Sequence, residues 1–267
     1  MRIGIIGGGF MGEAFLRALL RAGVTTPSDV AIAEVSTARR AALSEHGVRV
    51  TDDAESACIG ADIVLLSVKP QDLSGAAQPL QGRIPPAAVL VSILAGVPLQ
   101  AIERATGHRA VVRVMPNLPA AIGEGAAVFL ASPGVSEGQR AQVRTLLDAV
   151  ATAVVEVHDD EEVDLATAIH GSGPAYVYLF IEALIDAAVR LGMKRPDATS
   201  LVLATFVGSS RYALETGQHP AALRNAVTSP GGTTAAALAE LEAAGVRAAI
   251  DEAVQAAFER AQDLAEG

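Results

Sequence analysis

The residues best suited to chemistry open the chain. Gly7-Gly8-Gly9-Phe10-Met11-Gly12 matches G-x-G-x-x-G directly after the apolar run Arg2–Ile6 and directly before a helical stretch starting at Phe10. In such a turn the first glycine permits a tight reversal. The second lets the backbone approach a pyrophosphate, and the third lets helix and strand pack closely. The helix start adds unpaired N–H groups and partial positive charge, which suit phosphates. The strand–turn–helix context makes Gly7, Gly9, Phe10, Met11 and Gly12 the expected dinucleotide loop. Glu34 closes the next apolar run, 22 positions after Gly12. An acidic residue there accepts from the adenosine ribose of NAD and repels the extra phosphate of NADP. Ser36, Thr37, Arg39 and Arg40 follow at once and could hold that phosphate instead. The sequence leaves NADH against NADPH open.

A second candidate lies far along the chain. Ser229-Pro230-Gly231-Gly232-Thr233-Thr234 precedes an Ala-rich helical stretch, Ala235–Ala244. It offers a helix N-terminus whose glycines expose backbone N–H groups, suited to a carboxylate or phosphate, and its threonine hydroxyls add neutral donors. Taken alone, the same residues also make an ordinary helix cap and turn.

The elements that must position these residues follow from the apolar pattern. Strands are expected at Arg2–Ile6, Val30–Ala33, Ile63–Ser67, Val89–Ile93, Val111–Val114, Ala126–Leu130 and Val154–Val157. Runs such as Ile63-Val64-Leu65-Leu66 are apolar without alternation, as in parallel strands covered on both faces. Helical segments such as Phe10–Arg21, Thr37–His46 and Ser136–Ala149 lie between them, giving a doubly wound sheet of right-handed βαβ units. Beyond His158 the pattern turns helical, with breaks at Gly171–Pro174, Gly192, Gly217 and Ser229–Gly232. Val177, Phe180, Ile181, Leu184, Ile185, Ala188 and Leu191 recur at helical spacing as one apolar face. The expected architecture is α/β: a Rossmann-like dinucleotide-binding domain over residues 1–158, then an all-helical domain over 159–267, to which the resemblance described below assigns substrate binding and dimerisation. Large apolar faces of this kind mark interfaces, here with a second copy or with the first domain.

Composition narrows the classes of function. Of 267 residues 51% are hydrophobic, enough for a substantial core, and the formal net charge is −10 with no basic run. Nucleic acid needs clustered Lys and Arg, so neither a nucleic-acid nor a basic membrane-surface role is expected. Cys58 is the sole cysteine, which excludes an intrachain disulfide and a cysteine zinc cage, and it reads as a small buried apolar residue. The first residues are already a strand pattern rather than a signal peptide. Asp, Glu and Arg interrupt the Ala-rich stretches, so no span of ~20 apolar residues is expected. A cytoplasmic protein is the reading. The acidic group His158, Asp159, Asp160, Glu161 and Glu162 reads as a solvated first helical turn set against the dipole, so no metal is expected.

Four further segments are similar to pyrroline-5-carboxylate reductases. They are Ser67-Val68-Lys69-Pro70-Gln71, Arg113-Val114-Met115-Pro116-Asn117, Gly171-Ser172-Gly173-Pro174-Ala175-Tyr176, and Val227-Thr228-Ser229-Pro230-Gly231-Gly232-Thr233-Thr234. The resemblance spans the whole chain. It implies reduction of 1-pyrroline-5-carboxylate to L-proline by hydride from NADPH or NADH, the last step of proline biosynthesis. It adds Ser67, Val68, Lys69, Pro70, Ala95, Gly96 and Asn117 to the cofactor-binding positions with Glu34 and Ser36. Substrate positions are then Ser172, Gly173, Pro174, Ser229, Gly231, Gly232, Thr233 and Thr234. Thr234 is the catalytic candidate, donating to the imine nitrogen. The helical domain would pair two copies, with a larger ring of dimers left open.

Some positions depart from that pattern. His170 stands where the family usually has Ser before Gly-Ser-Gly-Pro, and it reads as a structural histidine. Leu118 replaces a common Thr. Lys69 reads equally as a solvated loop lysine. One rival is a β-hydroxyacid dehydrogenase, which relies on a helical-domain lysine, and here only Lys194 follows residue 160. Another is a non-catalytic dinucleotide sensor, which would not need Gly231 to Thr234.

Overall fold

The computed structural model describes the chain from Met1 to Glu266. Its elements run β1 (Ile3–Ile6), α1 (Phe10–Arg21), β2 (Val30–Ala33), α2 (Thr37–Ser44), β3 (Arg49–Thr51), α3 (Ala54–Cys58), β4 (Ile63–Leu66), α4 (Leu73–Ala77) and β5 (Val89–Ser92). They continue with α5 (Leu99–Thr106), β6 (Val111–Pro116), β7 (Gly125–Ala131), α6 (Glu137–Asp148), β8 (Ala151–Glu156) and α7 (Asp160–Ala166). After a π-helical turn at Thr167–Gly171 come α8 (Gly173–Arg190), α9 (Arg195–Thr216), α10 (Pro220–Ala226), α11 (Thr233–Ala243) and α12 (Val246–Glu266).

The eight strands form one sheet in the order β3-β2-β1-β4-β5-β6-β7-β8. From β3 to β6 every pairing is parallel. All residues of β1, β2, β4 and β5 are buried, as their unbroken apolar runs require. The order reverses direction between β1 and β4, and crevices at such switch points bind ligands at the carboxyl ends of the strands. Two features differ from the expected sheet. β3 is a strand that the pattern does not signal: Arg49-Val50-Thr51 is too short to show a period and pairs at the sheet edge with β2. β7 runs antiparallel to β6. Only residues 117–124 join these strands, and a parallel crossover needs a dozen or more.

The chain divides into two compact units: Met1–Ser172 with the segment from Ala257 onward, and Gly173–Ala256. The first contains the sheet, with core clusters on either face, one around Phe15, Leu19 and Leu146 and the other around Leu66, Leu80 and Ile102. Cys58 is fully buried, and that burial pushes its thiol up to about 12. At this pKa it is inert near neutrality.

The acidic turn is more than solvated charge. Asp159 caps α7 by accepting from Glu162 N–H at 2.8 Å. Asp160 turns inward with Asp164 to meet Arg113 of β6, whose side chain is 2% exposed. The guanidinium donates to Asp160 Oδ1 and Asp164 Oδ1, each at 2.6 Å. Asp160 Oδ1 also accepts from Leu99 N–H at 3.0 Å, tying the start of α5 to the same group. α7 is thereby fixed to the sheet, and the first unit extends past residue 158 to Ser172.

The second unit has almost no interior of its own. Ile185 and Ala198 are its buried hydrophobics among the described residues, while Leu179, Leu184, Leu201, Val207 and Leu214 are exposed. The run Asp160–Arg190 is, by length and composition alone, apolar enough to cross a membrane. That differs from the sequence expectation, in which Asp, Glu and Arg interrupt the apolar stretches and Gly171–Pro174 breaks the helical pattern. The π-helical turn instead carries the helical path almost through that break, and most of the apolar side chains beyond lie uncovered.

Asp164→Ala leaves one end of the buried Arg113 guanidinium without its carboxylate and should cost about 3–5 kcal/mol, read as a fall in the urea unfolding midpoint. A loss below about 1 kcal/mol, the worth of a solvated pair, would mean that water reaches Arg113.

Candidate active site

The phosphate loop is built by what its glycines leave out. Gly7 sits at φ +98°, where L side chains are strained, and a Cβ there would lie 2.9 Å from the Ser67 carbonyl. A Cβ on Gly12 would collide with Gly7 O and come within 2.8 Å of Ser67 Oγ. Ser67 donates its hydroxyl to Gly7 O at 2.6 Å. The ends of β1 and β4 and the start of α1 therefore converge on a space that admits no side chain. Gly9 is different: a Cβ there meets nothing within 4 Å. It is the exposed N-cap of α1 and carries no side-chain cap. Three requirements of a pyrophosphate cradle are thus present: an open approach, a fixed turn and uncapped N–H donors.

Gly8 reveals a grip that the motif alone does not. Its N–H donates to Glu34 Oε2 at 2.9 Å, and its carbonyl accepts from Arg39 Nη2 at 2.6 Å and Nε at 3.2 Å. Arg39 also donates to Glu13 Oε2 at 2.7 Å, and His46 Nε2 lies 3.2 Å from Glu13 Oε1. The Arg39 hydrogen bond first, and His46 beside it, hold the Glu13 carboxyl below its ordinary value. The stability this lends is complete above the unfolded carboxylate pKa and is lost as pH falls through the lowered one. Arg40 is likewise occupied, donating to Glu34 O and Val35 O at 2.9 Å each. The two arginines weighed as phosphate ligands are in the structure braces for the loop and for the end of β2.

A cleft of about 980 Å³ opens at the switch point, lined by Gly7, Gly9, Glu34, Ser67, Val68 and Lys69 among others. Its volume is at the upper end of ligand pockets, about 300–1,000 Å³. The structure thus brings these six predicted cofactor residues together. Ser36 stands beside them as the exposed N-cap of α2, its N–H given to Glu34 Oε1 at 2.8 Å. Phe10 is exposed at the start of α1, whereas the Met11 side chain packs on the core. Pro70 opens an exposed 3-10 turn. Asp52 and Asp53 also line the cleft. The sequence gives no signal for them unless β3 is recognised, since its carboxyl end delivers both to the same edge.

Ala95, Gly96 and Asn117 are likewise outside that cleft's lining. Ala95 is exposed after β5, and a Cβ on Gly96 would press within 2.9 Å of Leu264. The Asn117 side chain points inward: Nδ2 donates to His170 O at 3.1 Å, and Oδ1 accepts from Ala126 N–H at 2.9 Å. His170 answers from the π-helical turn, with Nδ1 2.6 Å from Ala166 O and Nε2 2.8 Å from Met115 O. Together they clasp the end of β6 to the turn that leads into Ser172. The structural reading of His170 follows from these contacts. Leu118 is exposed just beyond.

The remaining substrate residues belong to the second unit, apart from Ser172. Gly173 and Pro174 begin α8. Gly231 has φ +69°, and Gly232 N–H donates to Ser229 O at 3.0 Å, closing the turn. Gly232 is the N-cap of α11 without a side-chain cap, and a Cβ there would collide with Ser229 Oγ. Thr233 is exposed and Thr234 half-buried in the first turn.

Sheet order, glycine loop and cleft define a Rossmann-type dinucleotide-binding enzyme. Residues 160–264 match the model "Pyrroline-5-carboxylate reductase dimerisation", and residues 2–96 match "NADP oxidoreductase coenzyme F420-dependent". A pyrroline-5-carboxylate reductase of Synechocystis is 42% identical over 265 residues, 99% of this chain and 98% of that protein. The solved Coxiella burnetii pyrroline-5-carboxylate reductase has TM-score 0.91 at 33% identity, covering 98% of each chain. A Plasmodium falciparum pyrroline carboxylate reductase solved with NADP bound has TM-score 0.89 at 29% identity, covering 99% of this chain and 98% of that one. The chain belongs to the pyrroline-5-carboxylate reductase family and is an NAD(P)H-dependent oxidoreductase.

Because a Cβ at Gly9 meets open space, Gly9→Val should fold with an unchanged thermal midpoint. It should still lose at least about tenfold in dinucleotide affinity by calorimetry, because the pyrophosphate would meet the valine. Wild-type affinity in this variant would remove the pyrophosphate from the loop.

Proposed function

We propose that the chain reduces 1-pyrroline-5-carboxylate to L-proline with NAD(P)H, the last step of proline biosynthesis, in the cytoplasm. One observation carries this reading. A second uncapped, glycine-built helix start, Ser229–Thr234, accompanies the phosphate loop in a chain that matches reductases of this imine along its whole length. Residues 1–158 are assigned to the dinucleotide, and 159–267 to substrate binding and pairing with a second copy.

The reaction joins one hydride to the imine carbon and one proton to the ring nitrogen. When bound, the reduced nicotinamide supplies the hydride. The substrate carboxylate is assigned to the backbone N–H groups at Gly231–Thr234, with Ser172, Gly173 and Pro174 on the substrate side. The Thr234 hydroxyl makes no hydrogen bond among the described residues, which leaves it available to a ligand. It is assigned to the imine nitrogen as a donor that relays a solvent proton, since a threonine hydroxyl is too weak an acid to be a reservoir near neutrality. Catalysis then rests largely on proximity and orientation.

The uncovered apolar side chains of α8 and α9 support pairing, because a helical unit with almost no interior needs a second surface to bury them. A larger ring of dimers is a further possibility of the same reading. The β-hydroxyacid dehydrogenase rival needs a buried lysine, and Lys194 is exposed as the N-cap of α9.

Oxidation of NADH and NADPH is followed with and without 1-pyrroline-5-carboxylate. Imine-dependent oxidation with proline as product is expected, and a turnover indistinguishable from the blank would remove the assignment. Thr234→Val keeps the branched shape and deletes the hydroxyl. It should lower kcat by about 10²-fold, the usual worth of acid–base assistance, leave dinucleotide affinity unchanged, and be partly rescued by Thr234→Ser. Native turnover in the valine variant would make Thr234 a helix residue only.

A further inference from the structure

Resting on the proposed reductase reading, we infer that the adenosine end of the cleft selects NADH over NADPH, with Glu34 as the specificity-determining residue. In a Rossmann sheet the adenosine ribose lies at the carboxyl end of the second strand, and Glu34 stands there at the end of β2. Its carboxylate is held in place by Gly8 N–H at 2.9 Å and Ser36 N–H at 2.8 Å. Both backbone donors are thereby satisfied by the carboxylate, and neither remains for a 2′-phosphate. A carboxylate has about four acceptor positions, so each oxygen keeps a lone pair to accept from a ribose hydroxyl.

The nearby arginines are committed to acceptors of the fold. Arg39 donates to Gly8 O and Glu13, and Arg40 to Glu34 O, Val35 O and Thr37 Oγ1, with Asp52 3.7 Å from its Nη2. Releasing Arg39 would break the brace on the phosphate loop itself. Asp52 and Asp53 line the same cleft, so a 2′-phosphate dianion would meet three carboxylates. Lys69, the cationic side chain in that lining, follows β4, at the switch point with β1, where the rule places pyrophosphate rather than the adenosine ribose. The Plasmodium falciparum relative was solved with NADP, so a preference for NADH would be a property of this chain.

The test is calorimetric titration of the full-length protein with NADH and with NADPH, at low and high NaCl, without substrate. NADH should bind at least about tenfold more tightly at low salt, and the ratio should narrow as salt screens the carboxylates. Glu34→Gln should narrow it at low salt, chiefly by improving NADPH. Equal affinities at low salt in the wild type overturn the inference while leaving the reductase reading intact. An unchanged ratio in Glu34→Gln also overturns it. Binding of neither dinucleotide removes both. If the variant loses structure, the salt series on the wild type decides alone: a ratio independent of ionic strength overturns the electrostatic selection.

Discussion

A guanidinium inside the molecule needs compensation, and the way this chain supplies it organises the chain from the end of the sheet to Ser172. Arg113 lies on β6 with almost no solvent contact. Leaving such a charge unpaired costs several kcal/mol, so the helix that follows β8 must bring carboxylates to it. Asp160 and Asp164 sit one turn apart on α7 and reach the two ends of the guanidinium. Asp160 Oδ1 also takes the Leu99 N–H, so α5 is caught in the same arrangement. With α7 fixed, the π-helical turn ends within reach of Met115 O, and the His170–Asn117 clasp closes. The path toward Ser172 is therefore set by one buried charge and its partners.

The phosphate loop obeys a complementary constraint, exclusion rather than attraction. Gly7 and Gly12 abut each other and Ser67, and no side chain fits. The Gly8 peptide is then gripped through both its polar atoms, N–H by Glu34 and C=O by Arg39. Charge-assisted hydrogen bonds of this kind are shorter and stronger than neutral ones. They hold the loop rigid, and they also commit the side chains that face the adenosine end. Loop rigidity and cofactor choice are in this sense one arrangement.

The helical unit shows the opposite balance. Its apolar residues recur at helical spacing, yet nearly all remain open within one chain. Such a surface costs free energy in water until another surface covers it. That physical need agrees with the match of residues 160–264 to a dimerisation model.

The local features were legible from the residues alone. Glycines at three set positions after an apolar run encode a phosphate loop, because their necessity lies in the backbone at that point. Unbroken apolar runs likewise encode strands covered on both faces, and β1, β2, β4 and β5 are so. β3 escaped because three residues cannot display a period, and with it went Asp52 and Asp53. The antiparallel β7 escaped because the runs carry no direction; only the short link from β6 does. Asp160 reads as solvated charge, and Arg39 and Arg40 as phosphate ligands. Each has its partners in the fold instead: Arg39 meets a carbonyl 31 positions away, Arg113 reaches Asp160 at 47, and His170 reaches Met115 O at 55. Sequence by itself determined what the backbone demands locally, the loop and the strand cores. Tertiary structure alone decided which charges are spent inside the molecule, because a charged side chain is assigned by the acceptor that folding brings to it.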